Sequence, residues 1–275
     1  MSGSPWRRTA HEGFDFLMEG SRVGSIKTSQ VVGVPMGPCT SPGIVVQRQI
    51  AGAQTNCYLV YDPASLDAAV VDVAGPIDTL LATVRGQSLC LRYFLLTHGH
   101  FDHVIGLPAI RSSYPDALVC MHALDFEDMQ TQHEWGLRHF EKDTVAAWMK
   151  DPEFSKIVTF DVSTFDEPDL FLEDGHVLKL GDHAIRVLHC PGHSRGSLCY
   201  AIDDLLFAGD VLFKGSVGVV DLQNSSRNDQ IESVRRLYWE FGDDIVVYPG
   251  HDESTTIGAE RVSNKRVTET EVHLP

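Results

Sequence analysis

From residue 44 onward, short β-branched and aromatic runs alternate with turn residues and amphipathic stretches. "GIVVQRQI" (43–50), "NCYLVYD" (56–62) and "AAVVDVAG" (68–75) predict three consecutive strands. "PIDTLLATVRGQ" (76–87) shifts to a helical period, with Pro76 in its first turn and Gly86 past its end. A strand "LRYFLLT" (91–97), a helix "DHVIGLPAIRSSYP" (102–115) disturbed at Pro108, and a strand "ALVCMHA" (117–123) follow. Between Leu124 and about Leu172 the rhythm breaks. Trp135, Phe140 and Trp148 stand there among many charges in a partly helical insert, either as a lid over a substrate or packed on the insert itself. "HVLKLGDHAIRVLHC" (176–190) alternates about Gly181-Asp182 as a hairpin. "GSLCYAIDDLLFAGD" (196–210), a helix "NDQIESVRRLYWEFG" (228–242), a strand "DIVVYPGH" (244–251) and a short helical tail complete the pattern.

Strands alternating with helices specify an α/β class. Residues 1–43 are rich in Gly, Ser and Pro and carry only the short run "SQVVGV", so they predict a loosely ordered extension or an edge strand pair. Residues 44–275 then form one domain, with the insert at about 124–172 inside it.

The strands end alike. "LRYFLLT" runs into His98, His100, Asp102 and His103; "AIRVLHCPG" into His193; "DDLLFAG" into Asp210; "DIVVYPG" into His251. Groups delivered to one edge of a sheet are how α/β scaffolds build sites. Alternate side chains of an extended segment point the same way, so His98 and His100 can face one point while Asp102 and His103 turn toward another. Imidazole with carboxylate suits zinc, iron or manganese. Seven donors exceed one tetrahedral site, whereas two divalent metals sharing a carboxylate use them all. His98, His100 and His193 then hold one ion, Asp102, His103 and His251 the other, and Asp210 bridges.

Charge narrows the partners. Lys plus Arg number 22 against 38 Asp plus Glu, a net charge of −16 with no basic run, which excludes general binding to phosphate backbones. No apolar run is long enough to span a bilayer. A cytoplasmic protein is expected: Arg7 and Arg8 hint at an organellar leader, but Glu12, Asp15 and Glu19 follow at once. Six scattered cysteines with no C-x-x-C pair predict buried free thiols rather than disulfides or a thiolate zinc site.

"THGHFDH", "PGHSRGSLCY", "LLFAGDVLF" and "YPGHDESTTIGAERVSNKRV" resemble the metallo-β-lactamase-fold hydrolases, and within them the short glyoxalase II-like branch. The resemblance covers residues 44 to 266 and implies a four-layer αββα sandwich with two metals at the sheet edge. It implies that Asp72 orients a ligating histidine through its distal ring nitrogen. It further implies a thioesterase of the hydroxyacylglutathione hydrolase type, in which a metal-bridging hydroxide attacks a small-molecule thioester and Asp102 both ligates and aims that nucleophile. Two departures stand out. Val219 replaces the Arg that commonly follows the second Gly of "LFKGSVGVVDL". Residues 252–275 are also too few for the separate helical domain that binds glutathione in the longer enzymes. A mononuclear iron persulfide dioxygenase and a lactonase or other ester hydrolase are the alternatives on the same scaffold. His122 and His189, at strand ends, are candidates to support ligands, and Arg261 and Lys265 either bind an anionic substrate tail or are solvated helix charges.

Overall fold

The computed structural model describes residues 32–33, 43–139, 146, 149–150, 152, 155–156 and 159–267. Most of the stretch read as an extension, and with it Phe140 and Trp148, therefore lies outside the described residues.

One sheet runs in chain order through β1 (Val32–Gly33), β2 (Val45–Ala51), β3 (Thr55–Tyr61), β4 (Asp67–Val71), β5 (Cys90–Leu95), β6 (Leu118–Met121) and β7 (Leu170–Phe171). Its first four strands are antiparallel and its last four parallel, β4 being common to both sets. The second sheet contains β8 (Val177–Leu180), β9 (His183–His189), β10 (Leu198–Ile202), β11 (Leu205–Gly209), β12 (Val246–Pro249) and β13 (Thr255–Thr256), again in sequential order. The described helices are α1 (Asp78–Gly86), α2 (Phe101–Val104), α3 (Leu107–Arg111), α4 (Ala123–His139), α5 (Arg227–Glu240) and α6 (Ile257–Ser263).

Three buried clusters define the layers. Cys57, Leu59 and Tyr61 of β3 pack with Leu80 and Val84 of α1 and Val104 of α2, on the outer face of the first sheet. Their neighbours Tyr58 and Val60 point the other way, onto Tyr200, Phe207 and Tyr248 of the second sheet. Leu206 and Ala208 of β11 face Val234 and Leu237 of α5. Every residue of β3 and of β11 is buried, because both faces of each sheet are covered. This is the αββα sandwich. Tyr58 sits edge-on to Phe207 and to Tyr248, at 5.4 Å from each ring centroid, which joins the two sheets where they converge on the site.

Two predicted helix details differ. Gly86 is the last residue of α1 rather than the residue beyond it, and Ser88 takes the left-handed conformation instead (φ +55°). The helix after His100 is broken at Ile105-Gly106, not at Pro108. Gly106 donates its N–H to Val73 O (2.8 Å), and a Cβ on it would lie 2.3 Å from Gly75 O, so a tertiary contact replaces the helical bond. Pro108 then stands in the first turn of α3, where its missing N–H costs nothing. Cys57, Cys120, Cys190 and Cys199 are buried free thiols, whereas Cys90 is exposed.

Candidate metal centre

The site is built at the carboxyl ends of β4, β5, β9, β11 and β12. Backbone bonds fasten these ends to one another: Leu198 N–H to Thr97 O (2.7 Å), Gly250 N–H to Gly209 O (2.8 Å) and Val73 N–H to His103 O (2.8 Å). Two tyrosine hydroxyls add to the frame, Tyr200 donating to Leu96 O and Tyr58 to Pro249 O, each at 2.7 Å.

All seven residues read as ligands come together. The donor atoms of His98, His100 and His193 lie within 4.8 Å of one another, as do those of His98, His103 and Asp210 and those of Asp102, His103 and His251. Asp210 stands in the middle. Its Oδ1 is 3.4 Å from His103 Nε2, and its Oδ2 is 3.5 Å from His193 Nε2 and 3.7 Å from His251 Nε2. Asp102 Oδ2 is 3.4 Å from His251 Nε2 and 3.8 Å from His103 Nε2.

The outer nitrogen is oriented in four of the five imidazoles. Asp72, in the left-handed region at φ +56°, accepts from Thr97 N–H on Oδ1 (2.8 Å) and from the Thr97 hydroxyl on Oδ2 (2.8 Å), and that Oδ2 lies 2.8 Å from His103 Nδ1. The Thr97 hydroxyl proton is thus committed to Asp72, so its oxygen accepts from His98 Nδ1 (3.0 Å). His193 Nδ1 faces Val219 O (2.8 Å) and His251 Nδ1 faces Gln54 O (3.3 Å). With Nδ1–H committed in each case, the Nε2 lone pair is directed inward. His100 is turned the other way, its Nδ1 facing His193 Nε2 at 2.8 Å. Asp72 accordingly serves both His103 and, through Thr97, His98. Val219 acts here through its backbone, so loss of an arginine side chain leaves this bond intact.

This arrangement fits a cation. His98 Nε2, His103 Nε2 and Asp210 Oδ1 are buried with no hydrogen-bond partner, a state that costs about 1–3 kcal/mol per group unless something satisfies it. Burial, reinforced by the surrounding imidazoles, holds His98 well below its ordinary value. Burial and the neighbouring His193 do the same to His100. Burial also pulls on His103, but Asp210, Asp72 and Asp102 outweigh it and lift the group to about 10. His251 is raised against burial by Asp210 and Asp102. Burial opposes ionisation of Asp102, yet His103 and His251 hold its carboxyl well below the usual carboxylate range. Positive charge is therefore disfavoured on His98 and His100, whereas the carboxylates of Asp210 and Asp102 favour it around His103 and His251.

Three supporting residues escape a reading of the sequence. Gln230, on α5, accepts from His193 N–H (2.7 Å) and donates to Val211 O (2.8 Å) and Asp210 O (3.2 Å), knitting two ligand loops together. Asn56 donates to Pro249 O (3.0 Å) and Asp252 O (2.9 Å) on either side of His251. Asp125, in the first turn of α4, bonds both the His98–His100 loop and the His193 loop. Gln230 left one signal, a buried polar residue on the same stripe as Val234 and Leu237. His122 and His189 stack on one another, with ring centroids 4.3 Å apart and planes 13° apart. Arg261 pairs with Asp243 and donates to Tyr238 O and Phe241 O, holding the end of α5.

Comparison with known proteins agrees with this geometry. The sequence model of the metallo-beta-lactamase superfamily matches residues 50–251. An uncharacterised protein of Mycobacterium leprae, ML0493, is 35% identical over 223 residues, covering 77% of this chain and 92% of its own. The hydroxyacylglutathione hydrolase GloC of Haemophilus influenzae is 29% identical over 217 residues, covering 78% and 93%. Among solved structures, TTHA1623 in a di-iron-bound form superposes with a TM-score of 0.58 at 28% identity, covering 86% of this chain and 99% of that one.

Proposed function

We propose that this chain, which belongs to the metallo-β-lactamase superfamily and is a hydrolase of that superfamily, acts on thioesters of the hydroxyacylglutathione type with two divalent metal ions. The observation that carries the reading is the convergence of seven His and Asp donors in two sets with Asp210 between them. The likeness to GloC over 93% of its length supports the thioester, and the di-iron form of TTHA1623 supports a pair of ions.

His98, His100 and His193 would hold one ion and Asp102, His103 and His251 the other, with Asp210 shared. Ions bound there would acidify water and polarise a carbonyl. The chain's own groups then have definite tasks. Asp102 is ionised and its side chain is 16% exposed, so it can accept a hydrogen bond from the attacking water and aim it at the thioester carbon. Water is the nucleophile on this reading, because the side chains beside His193 are engaged. Cys190 is fully buried, and the Ser194 hydroxyl is bonded to Asp125 (2.7 Å) and Ser197 (2.6 Å). A thiol leaving group has a pKa of about 8.5, so it departs without a strong general acid.

The test is thiol release from S-lactoylglutathione and from acyl thioesters of other carriers, by wild type and by Asp102→Asn. Turnover that falls by about 100-fold or more in Asp102→Asn is expected. Lactone hydrolysis, or oxygen uptake with glutathione persulfide, in a protein that releases no thiol from any thioester would overturn the reading.

A further inference from the structure

Asp125 lies outside the ligand set and is fully buried. Its carboxylate gathers three donors from two loops: Oδ2 accepts from Gly99 N–H (2.9 Å) and the Ser194 hydroxyl (2.7 Å), and Oδ1 from Gly196 N–H (2.6 Å). Gly99 stands between His98 and His100, while Ser194 and Gly196 follow His193. One carboxylate thus ties together both loops that carry the three-histidine half of the site. The approach leaves no room for side chains. A Cβ on Gly99 would lie 2.7 Å from Asp125 O, and one on Gly196 2.7 Å from Asp125 Oδ1. Across the joint, His100 Nδ1 and His193 Nε2 face one another at 2.8 Å, so a small shift of either loop changes the bite of the pair. A second contact anchors α4 to the same loop, Arg195 donating to both oxygens of Asp128 at 2.6 Å. The other half is held by different groups, His103 by Asp72 and His251 by Gln54 O.

From this geometry we infer that Asp125 is a positioning residue: it sets the spacing of the His98–His100 loop against the His193 loop, and with it the affinity of the three-histidine half for a divalent ion. The inference rests on the two-metal reading above. It also makes α4, the helix that opens the insert, part of the frame of the metal site.

Asp125→Asn tests it at constant size. Each carboxylate oxygen faces a backbone N–H, so either orientation of the new amide sets its NH2 against a donor. Loss of such an orienting partner typically weakens metal binding 10–100-fold. Zinc affinity is measured by competition with a chromophoric chelator in two single-site backgrounds. His251→Ala keeps the three-histidine half complete, and His193→Ala keeps the other. Adding Asp125→Asn is expected to weaken zinc about 10–100-fold in the first background and to leave the second unchanged. Unchanged affinity in the first background, or equal loss in both, would overturn the role. If circular dichroism shows Asp125→Asn unfolded, Ser194→Ala, which removes one of the three donors, is read in the same backgrounds with a smaller loss confined to the first. Binding of a single zinc by the wild-type chain would defeat the two-metal reading separately, since the His251→Ala comparison still decides Asp125.

Discussion

Replacing Asp72 with Asn changes one atom in the group that orients both His103 and, through Thr97, His98. The carboxylate takes three hydrogen bonds of 2.8 Å in a residue only 1% exposed. An amide has one acceptor oxygen. If that oxygen stays with the Thr97 hydroxyl and His103, the NH2 meets Thr97 N–H donor to donor, and the orphaned donor costs about 1–3 kcal/mol of stability. If the amide turns over, its NH2 donates to His103 Nδ1, which must then carry its proton on Nε2, pointing at the site. Ligation by His103 is blocked in that tautomer. The second outcome weakens metal binding by the 10–100-fold typical of lost orienting partners, about 1.4–2.7 kcal/mol. Chelator competition reads the affinity, and urea unfolding of the chelated protein reads the stability. Wild-type affinity for both ions together with wild-type stability would refute the orienting role, since either placement of the amide forfeits one or the other.

Three further outcomes follow from the same geometry. Gly250→Ala places a Cβ 2.2 Å from Asp210 Oδ1 and 2.7 Å from His103 Cε1, so it should abolish binding of at least one ion by elemental analysis while the far-UV spectrum stays native. Gln230→Ala orphans His193 N–H and the Val211 carbonyl, while Asp210 O keeps the Gly218 N–H (3.1 Å), and should lower the unfolding free energy by about 2 kcal/mol in urea titrations. Arg236 pairs with Asp174 (2.7 Å) and Glu240 (2.5 Å) and, against burial, holds both carboxyls below their ordinary values. Depressed folded values mean that this stabilisation is complete above the unfolded pKa of about 4 and is lost as pH falls through the folded ones. Arg236→Gln should therefore be less stable than wild type near pH 7, and the gap should close toward pH 3. A gap that widened in acid would contradict that sign.

The candidate ligands were legible because each follows a strand whose apolar run is itself legible, and because the two sheets bring the ends of those strands to one place. The αββα arrangement is another matter. β3 and β11 are buried on both faces, so their runs are nearly continuous, and tertiary contacts such as those of Tyr58 with Phe207 and Tyr248 reveal which strands face one another. The resemblance to a family supplied the face-to-face sheets, not the strands that meet between them. Asp125 and Asn56 were not legible because their partners, backbone groups and the Ser194 hydroxyl, lie far away in sequence. An aspartate in a first helical turn reads the same whether it caps that helix or ties two distant loops. Gly106 illustrates the same limit, since proline is the stronger local breaker but the contact with Gly75 decides where the helix ends. The partners of Arg261, Asp243 and two carbonyls of the α5 terminus, are likewise set by tertiary structure rather than by local pattern.

Metal content and thiol release, measured on one sample of protein purified without added metal, bear on the whole of this chemistry. About two ions per chain are expected, with S-lactoylglutathione turnover that a chelator abolishes and divalent metal restores. A protein that carries no metal, takes up none on titration and still hydrolyses the thioester would contradict the assignment of the seven side chains as ligands.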